Sequence, residues 1–474
     1  MFLSLLTIVV SAVFPITQTP WVEKGISVGK VSDGFVVAWQ DLQNDDGEIY
    51  ACLLSDREIK IFPVATIPPY SAGEIYYSTP TFASEDNRGL FAYEKYSRCS
   101  DPSSGFCSSI DYTTFDASAP YGAVSTGELH DCECTSIGSD YGYWHSRPRL
   151  AYNGRHMLLA SLRETFFMGA IYSSIVTDLL NPNGQVLYTH RFKQETSASW
   201  IAPPAITAFR DGFVLAYPEL ILYNGHNDLF IVYFHRGVVT NQKKMIELNW
   251  SLSFYPIPEI VSIGDVFLYT IDLSNENSTG VLVFDYPNIP VDTFTLWDAK
   301  RAFPVAAFGK FFIFYLSTDG DIYAVRYDPE TGLIDSTGVP VIVTPEPITE
   351  LSAAFDGEKI FLAFVQNDDI YGVFLNSYLQ VIEGIAIGKE AEAPITLSPN
   401  PVKGNILRAV IRTPEVPLSF EIYDVSGRKI GRCRPNFLNG SQAILELPAS
   451  IGPGVYFLAA RTRGKTYRVM FLKM

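Results

Sequence analysis

The feature that most constrains this chain is a short pattern that returns seven times. A small turn leads into a strongly apolar run in "SDGFVVAW" (32–39), "EDNRGLFAYE" (85–94), "YNGRHMLLAS" (152–161), "FRDGFVLAYP" (209–218), "SIGDVFLYTI" (262–271), "FGKFFIFYL" (308–316) and "FDGEKIFLAF" (355–364). The copies lie about 45 to 67 residues apart, a period that implies propeller blades or a similar array. A second polar turn and another strand follow most of them, as in "WQDLQNDDGEIYACLL" (39–54), "YLSTDGDIYAVRYD" (315–328) and "FVQNDDIYGVFL" (364–375). Each unit reads as a four-stranded meander. Such a meander cannot bury both faces alone, whereas stacking copies around an axis buries them and leaves only short edges.

Composition agrees with an all-β chain. Aromatic residues reach 14% and apolar residues 47%, while charged residues are only 18%, which excludes a largely disordered polypeptide. Helix-type amphipathic runs are nearly absent. The fold class expected is therefore all-β: a seven-bladed β-propeller over residues 21–392, followed by a small Ig-like β-sandwich over 393–474. The stretch "WVEKGISVG" (21–29) is the candidate to complete the last blade. A monomer is expected.

The polar turns raise the question of calcium. Asn367, Asp368 and Asp369 stand together, as calcium ligands do. Calcium, however, takes six to eight oxygens, and a calcium-binding loop places Asp and Asn at alternate positions with a closing Glu. No turn here has that spacing, so these residues read as turn formers whose side chains bond their own backbone.

Formal charge is −16 overall. An acidic chain repels phosphate backbones, so nucleic acid is not an expected partner. The charge is uneven: residues 394–474 carry a net +8 and the remainder about −24, which marks a boundary near residue 393. The other end, "MFLSLLTIVVSAVFPITQTP", has an apolar run from Phe2 to Phe14, too short to span a bilayer as a helix but suited to the core of a leader peptide. A leader over 1–20 and export are expected. The alternative is a buried first strand.

From Pro394 the style changes to alternating strands joined by tight turns, which suggests the small sandwich. This region resembles the type A C-terminal sorting domain of the type IX secretion system. The resemblance is carried by Pro399-Asn400-Pro401, by Ile422-Tyr423-Asp424 with Gly427-Arg428, by Gly454-Val455-Tyr456-Phe457, and by the closing Gly464-Lys465 and Lys473. It implies passage through the periplasm, translocation across the outer membrane by the type IX machinery, and a secreted or cell-surface protein. Residues 25–390 resemble, more loosely, the repeat units of extracellular bacterial propellers.

Four of six cysteines, Cys99, Cys107, Cys132 and Cys134, fall in the longest interval between repeat signatures. In an exported protein an even cluster reads as disulfides. Cys99 with Cys107 and crossed pairings with Cys132 and Cys134 remain open, and Cys52 reads as a buried thiol. Zinc is the alternative, with His130, Cys132, Cys134 and His145 as ligand types, although their spacing matches no ordinary knuckle.

No nucleophile elbow, zinc-protease helix or phosphate loop is present. The cluster "YGYWHSRPRL" (141–150) is the candidate binding site, through Trp144, His145, Arg147 and Arg149, because aromatics beside guanidinium groups suit sugars, carboxylates or peptides. Residues 118–149 are expected to project as a loop beside the channel mouth. The function expected is a binding or adhesion propeller for an extracellular glycan or protein ligand. The alternative is a polysaccharide hydrolase or lyase on the same scaffold.

Overall fold

The computed structural model describes residues 13–382 and 395–473, apart from intervening stretches of which the longest are 68–74, 99–105, 131–140, 399–405 and 412–418. The chain divides into two compact units, Met1–Ile385 and Ala386–Met474. Among the described residues the first unit holds seven antiparallel sheets, each built as a meander. Six begin with their innermost strand and run outward in chain order. The first sheet, for instance, is Val22–Val31, Gly34–Gln43, Asp46–Ser55 and Ile59–Ala65.

The innermost strands pack in a cycle. Val22–Val31 contacts Ile75–Glu85, which contacts Tyr141–Tyr152. The series continues through Ala205–Phe209, Glu259–Ile263, Lys300–Ala307 and Ile348–Phe355, and the last contacts Val22–Val31 again. The apolar cores follow the same cycle, with one buried cluster between each pair of successive sheets. This arrangement is a β-propeller. It follows from the strand pattern: a second strand such as Lys310–Leu316, buried from Phe311 onward, needs apolar neighbours on both faces, and two adjoining sheets supply them.

The seventh sheet is completed differently from expectation. Of residues 21–29, all but Trp21 belong to the innermost strand of the first sheet. The outer edge of the seventh sheet is shared instead by Phe14–Pro15 and Val381–Ile382, both paired with Asp369–Leu375. Phe14 and Pro15 lie opposite Gly372 and Tyr371, and the Ile16 amide donates to the Ile370 carbonyl at 2.7 Å. The expected leader, 1–20, therefore overlaps residues that belong to this sheet. The physical reason is that one short apolar run satisfies both a leader core and a buried edge strand.

Two further expectations are corrected or sharpened. Residues 118–149 are not one projecting loop: Ala123–His130 is the outer strand of the second sheet, and Tyr141–Tyr152 is the innermost strand of the third. Asn367 and Asp368 form a two-residue hairpin turn, both with positive φ, 52° and 66°, the geometry Asn and Asp tolerate best. Asp369 turns its carboxylate to the Thr19 amide at 3.0 Å.

The second unit forms one run of seven strands, in the order Ile395–Ser398, Ile406–Ile411, Gln442–Glu446, Lys429–Asn439, Ser419–Asp424, Gly454–Arg461 and Thr466–Lys473. Lys429–Asn439 pairs with Ser419–Asp424 through its first half and with Gln442–Glu446 through its second, so it turns the corner of the sheet. The first and last strands of that order touch, which encloses Leu407, Phe420, Ile422 and Leu458. Glu421, nearly buried, is held by Lys429, by Arg432 at 3.2 Å and by Arg461 at 3.0 Å. Its carboxyl is pulled down to about 2, first by the Lys429 and Tyr423 hydrogen bonds. Of the residues that carry the sorting-domain resemblance, Asp424 pairs with Tyr456, Gly454 pairs with Lys473, and the Tyr456 hydroxyl donates to the Gly452 carbonyl at 3.1 Å. Pro399, Asn400, Pro401, Gly427 and Arg428 lie outside the described residues.

Candidate functional site

The innermost strands are interrupted at corresponding points. Register shifts fall between Lys24 and Ser27, Ser78 and Thr81, Ser146 and Arg149, Lys300 and Ala302, and Ile348 and Glu350. Each is a β-bulge, which re-aims side chains and leaves backbone groups unpaired. Four bulges hold a residue at positive φ: Gly25 at 64°, Thr79 at 45°, Arg147 at 51° and Arg301 at 50°. Glycine adopts this readily; threonine and arginine do so at a cost that the surrounding structure must cover.

Carboxylates cover part of that cost by accepting the freed amides. Glu94, in the second sheet, accepts the Arg147 amide of the third, along with the Ser78 hydroxyl at 2.8 Å and the Tyr96 hydroxyl at 2.9 Å. Glu350, in the seventh sheet, accepts the Gly25 amide of the first at 2.6 Å. These two bonds stitch bulge to neighbour around the axis. Within the fifth sheet, Asp272 accepts the Ile257 amide at 3.2 Å.

The bulges surround a cavity of about 820 Å³. Three guanidinium groups line it, from Arg147, Arg149 and Arg301, with Tyr76, Tyr96 and Trp200 as the aromatic wall. Arg149 pairs with Glu259 at 3.1 Å, and Arg301 lies 3.6 Å from Glu350. The Trp200 indole donates to Glu164 at 3.3 Å. Burial holds the Arg147 guanidinium below its ordinary range against the pull of Glu94, and Arg149 and Arg301 push the same way. Burial also raises the carboxyl groups of Glu259 and Asp272 against the cations beside them. The site can therefore offer planar, directional donors to a carboxylate or hydroxyl-rich ligand, and flat apolar faces to a ring.

Arg147 and Arg149 both line the cavity, and a bulge between Ser146 and Arg149 sets their placement. Arg301 was missed, being far away in sequence and without local company. His145 is not part of the cavity: it is buried, stacked on His130 with ring centroids 4.6 Å apart. Burial, with the charges of His130, Arg163 and Arg191, lowers its pKa to about 2. His130 bonds Asp178 at 2.5 Å. Trp144 pairs with Glu164 through its backbone, and its side chain lies outside the described residues. Cys52 and Cys433 are buried free thiols; Cys107 is buried and is not among the free ones. Cys99, Cys132 and Cys134 lie outside the described residues.

A sequence signal for the bulges did exist. Pro80 and Pro148 fall inside two of the bulges, and Pro203 and Pro258 stand just before two further innermost strands. Proline has no amide to pair and so is confined to strand edges and bulges. The acids at or near the ends of the second strands, Asp41, Glu94, Glu164, Glu219 and Asp272, recur in the same way.

No protein-family model matches the chain, and no curated protein sequence does. Among solved structures, the chain is similar to one from a study of two prolyl endopeptidases, at 11% identity and a TM-score of 0.43, over 84% of this chain and 54% of that one. Acylaminoacyl peptidase from Pyrococcus horikoshii matches at 10% identity and 0.43, over 82% and 57%. The β-propeller domain of the Trilobed protease from Pyrococcus furiosus, described as having an open velcro topology, matches at 11% and 0.42, over 77% of this chain and 96% of that one. The chain thus spans little more than half the length of the two peptidase chains.

Proposed function

We propose that this chain is a secreted or cell-surface seven-bladed β-propeller whose axial cavity binds an extracellular glycan or protein ligand bearing a carboxylate. The 386–474 unit would be an Ig-like sandwich that serves as the address read by the type IX machinery. The observation that carries the binding reading is the convergence of Arg147, Arg149 and Arg301 with Tyr76, Tyr96 and Trp200 on one cavity of about 820 Å³. A cleft with a few convergent polar groups and an aromatic wall is the usual form of a ligand site. In the same reading Cys107 pairs with one of Cys99, Cys132 and Cys134, as an oxidising compartment permits.

The test is a glycan and peptide array probed with the chain beginning at Val13, scored for capture and for released product. Capture of acidic glycans or acidic peptides is expected, and it should weaken at least tenfold in Arg149→Gln and in Arg301→Gln. Unchanged capture in both variants would move the site elsewhere. One observation favours the second reading, a hydrolase or lyase: Glu259 lines the cavity with its carboxyl raised by burial, the condition a general acid requires. Product release that vanishes in Glu259→Gln would establish that reading instead.

A further inference from the structure

We infer that the axial site continues into a second subsite across Arg301, so that its ligand is an acidic oligosaccharide with carboxylates on successive units. The inference rests on the axial binding reading above and adds the class and length of the ligand to it. Asp272, Asn277, Ser278, Lys300 and Arg301 line a second cavity, of about 360 Å³. Arg301 lines the axial cavity as well. Both volumes fall in the range of ligand clefts, roughly 300–1,000 Å³.

The bulge explains how one arginine serves two cavities. Lys300 pairs with Leu316 and Ala302 with Tyr315, so Arg301 is the extra residue between them. Its amide, released from the ladder, is taken by Asp272 of the neighbouring sheet. Its guanidinium is 44% exposed and lies 3.6 Å from Glu350, longer than a hydrogen bond. Lys300, beside it, is exposed and forms no ion pair among the described residues. Two cations on adjacent residues, serving neighbouring cavities, match carboxylates repeated along one chain. Asn277 and Ser278 add neutral groups suited to hydroxyls. Trp297, 72% exposed, pairs through its backbone with Ser278, which brings an indole to within one strand of this cavity. An extended peptide is the poorer match. It binds by adding to an unpaired strand edge, and here the amides released by the bulges are already taken. Glu350 accepts those of Gly25 and Ile26, Glu94 that of Arg147 and Asp272 that of Arg301. What the site offers is side-chain donors and flat rings.

The test is calorimetric titration of the full chain with galacturonate oligomers of one to six units, and with glutamate oligomers of equal charge. The wild type is compared with the double variant Lys300→Gln/Trp297→Ala and with Arg149→Gln. Both positions of the double variant are exposed, so its melting temperature is expected to hold; if it falls, Lys300→Gln alone carries the same expectation. The wild-type Kd should tighten at least tenfold from one galacturonate unit to three. The double variant should keep the one-unit Kd and lose most of that gain. Equal affinity at every length, or an undiminished gain in the double variant, overturns the second subsite and leaves the axial reading standing. Tighter binding of the glutamate oligomers overturns the glycan class, and with it this inference, while the axial reading again stands. If neither series binds the wild type better than Arg149→Gln, the axial reading falls and this inference falls with it.

Discussion

Between the seventh and first sheets the core is aromatic. Phe14, Phe35, Phe361 and Phe374 pack ring on ring, backed by Trp39, Val37 and Ile370. Between the second and third sheets it is sparse. Only Leu90, Ala92, Ile110, Met157, Leu159 and Leu180 form the buried cluster among the described residues. Polar groups fill the rest of that seam. The Ser108 hydroxyl donates to the His145 carbonyl at 2.8 Å, His130 stacks on His145, and Asp178 takes a hydrogen bond from Thr189 at 2.6 Å. Cys107 is buried in the same sheet. The difference shows how a ring of similar units can vary. The closing seam joins the two ends of the first unit and relies on apolar area. The other lies between units consecutive in the chain, and uses hydrogen bonds where apolar area is short.

The sharpest way to break this comparison is to remove one large side chain from each seam. Phe361 is fully buried and touches three other rings. Phe361→Ala is expected to cost about 3–5 kcal/mol. Leu159→Ala, also fully buried, should cost nearer about 2–3 kcal/mol, because fewer apolar neighbours surround it. Urea midpoints of the two variants measure the difference. Equal losses would mean that the sparse seam is as dependent on packing as the aromatic one.

If Cys107 is paired as proposed, reduction acts on the sparse seam. Opening the pairing proposed for Cys107 is expected to cost about 2–4 kcal/mol, read as a lower melting temperature in dithiothreitol. Cys107→Ser should melt low with and without reductant. A wild-type curve unmoved by reductant would leave the polar groups of this seam as its main support.

What the sequence made legible divides along the same seams. The seven turn-and-strand signatures reveal the sheets because each turn uses Gly, Asp or Asn and each second strand carries a buried apolar run. The closing strand was read only as the alternative to a leader, because Phe14 ends an apolar run that suits both. The lining of the cavity was half legible. Arg147 and Arg149 stand together in "SRPRL", whereas Arg301, in "DAKRAF", has no neighbour that marks it. Convergence around an axis brings residues together from distant units, and local spacing does not report it. His145 misled for the opposite reason: a histidine beside two arginines looks like a site, yet the residue before the bulge turns into the seam.

The two seams should also respond to pH in opposite senses. Glu23, at the closing seam, has its carboxyl raised to about 7 by burial, against the Thr17 and Thr19 hydrogen bonds. The folded state thus holds its proton up to about pH 7, while the unfolded chain releases it near 4.5. Its contribution is fully present below the unfolded value and is lost as pH rises through the folded one, on the order of 3 kcal/mol in all. His145 runs the other way. Folded, it stays neutral down to about 2, while the unfolded chain takes up a proton below 6.5. Its contribution is present above 6.5 and is lost as pH falls, by up to about 1.4 kcal/mol per unit. Glu23→Gln is therefore expected to flatten the loss of stability between pH 5 and 7, and His145→Asn the loss below pH 6. The measurement is denaturant midpoint against pH for both variants and the wild type. Parallel curves would show that neither group governs its seam.

The smallest expected effect separates the seams by which backbone group each leaves unpaired. Ser352 is buried, and its hydroxyl accepts the Val28 amide at 3.0 Å, joining the seventh sheet to the first. Ser108 is buried too, but it donates to a carbonyl, that of His145. An amide has one hydrogen to give, and when its acceptor goes it is left wholly unpaired. A carbonyl has two lone pairs and tolerates the loss of one partner better. Ser352→Ala should therefore cost about 1–2 kcal/mol and Ser108→Ala about 0.5–1 kcal/mol. Amide exchange gives a local reading beside the global midpoint. The Val28 amide should lose protection in Ser352→Ala, whereas Ser108→Ala should leave amides around His145 close to their wild-type rates. A larger loss in Ser108→Ala would show that the polar network of the sparse seam acts as a unit, with the hydroxyl fixing the strand on which His145 stacks against His130.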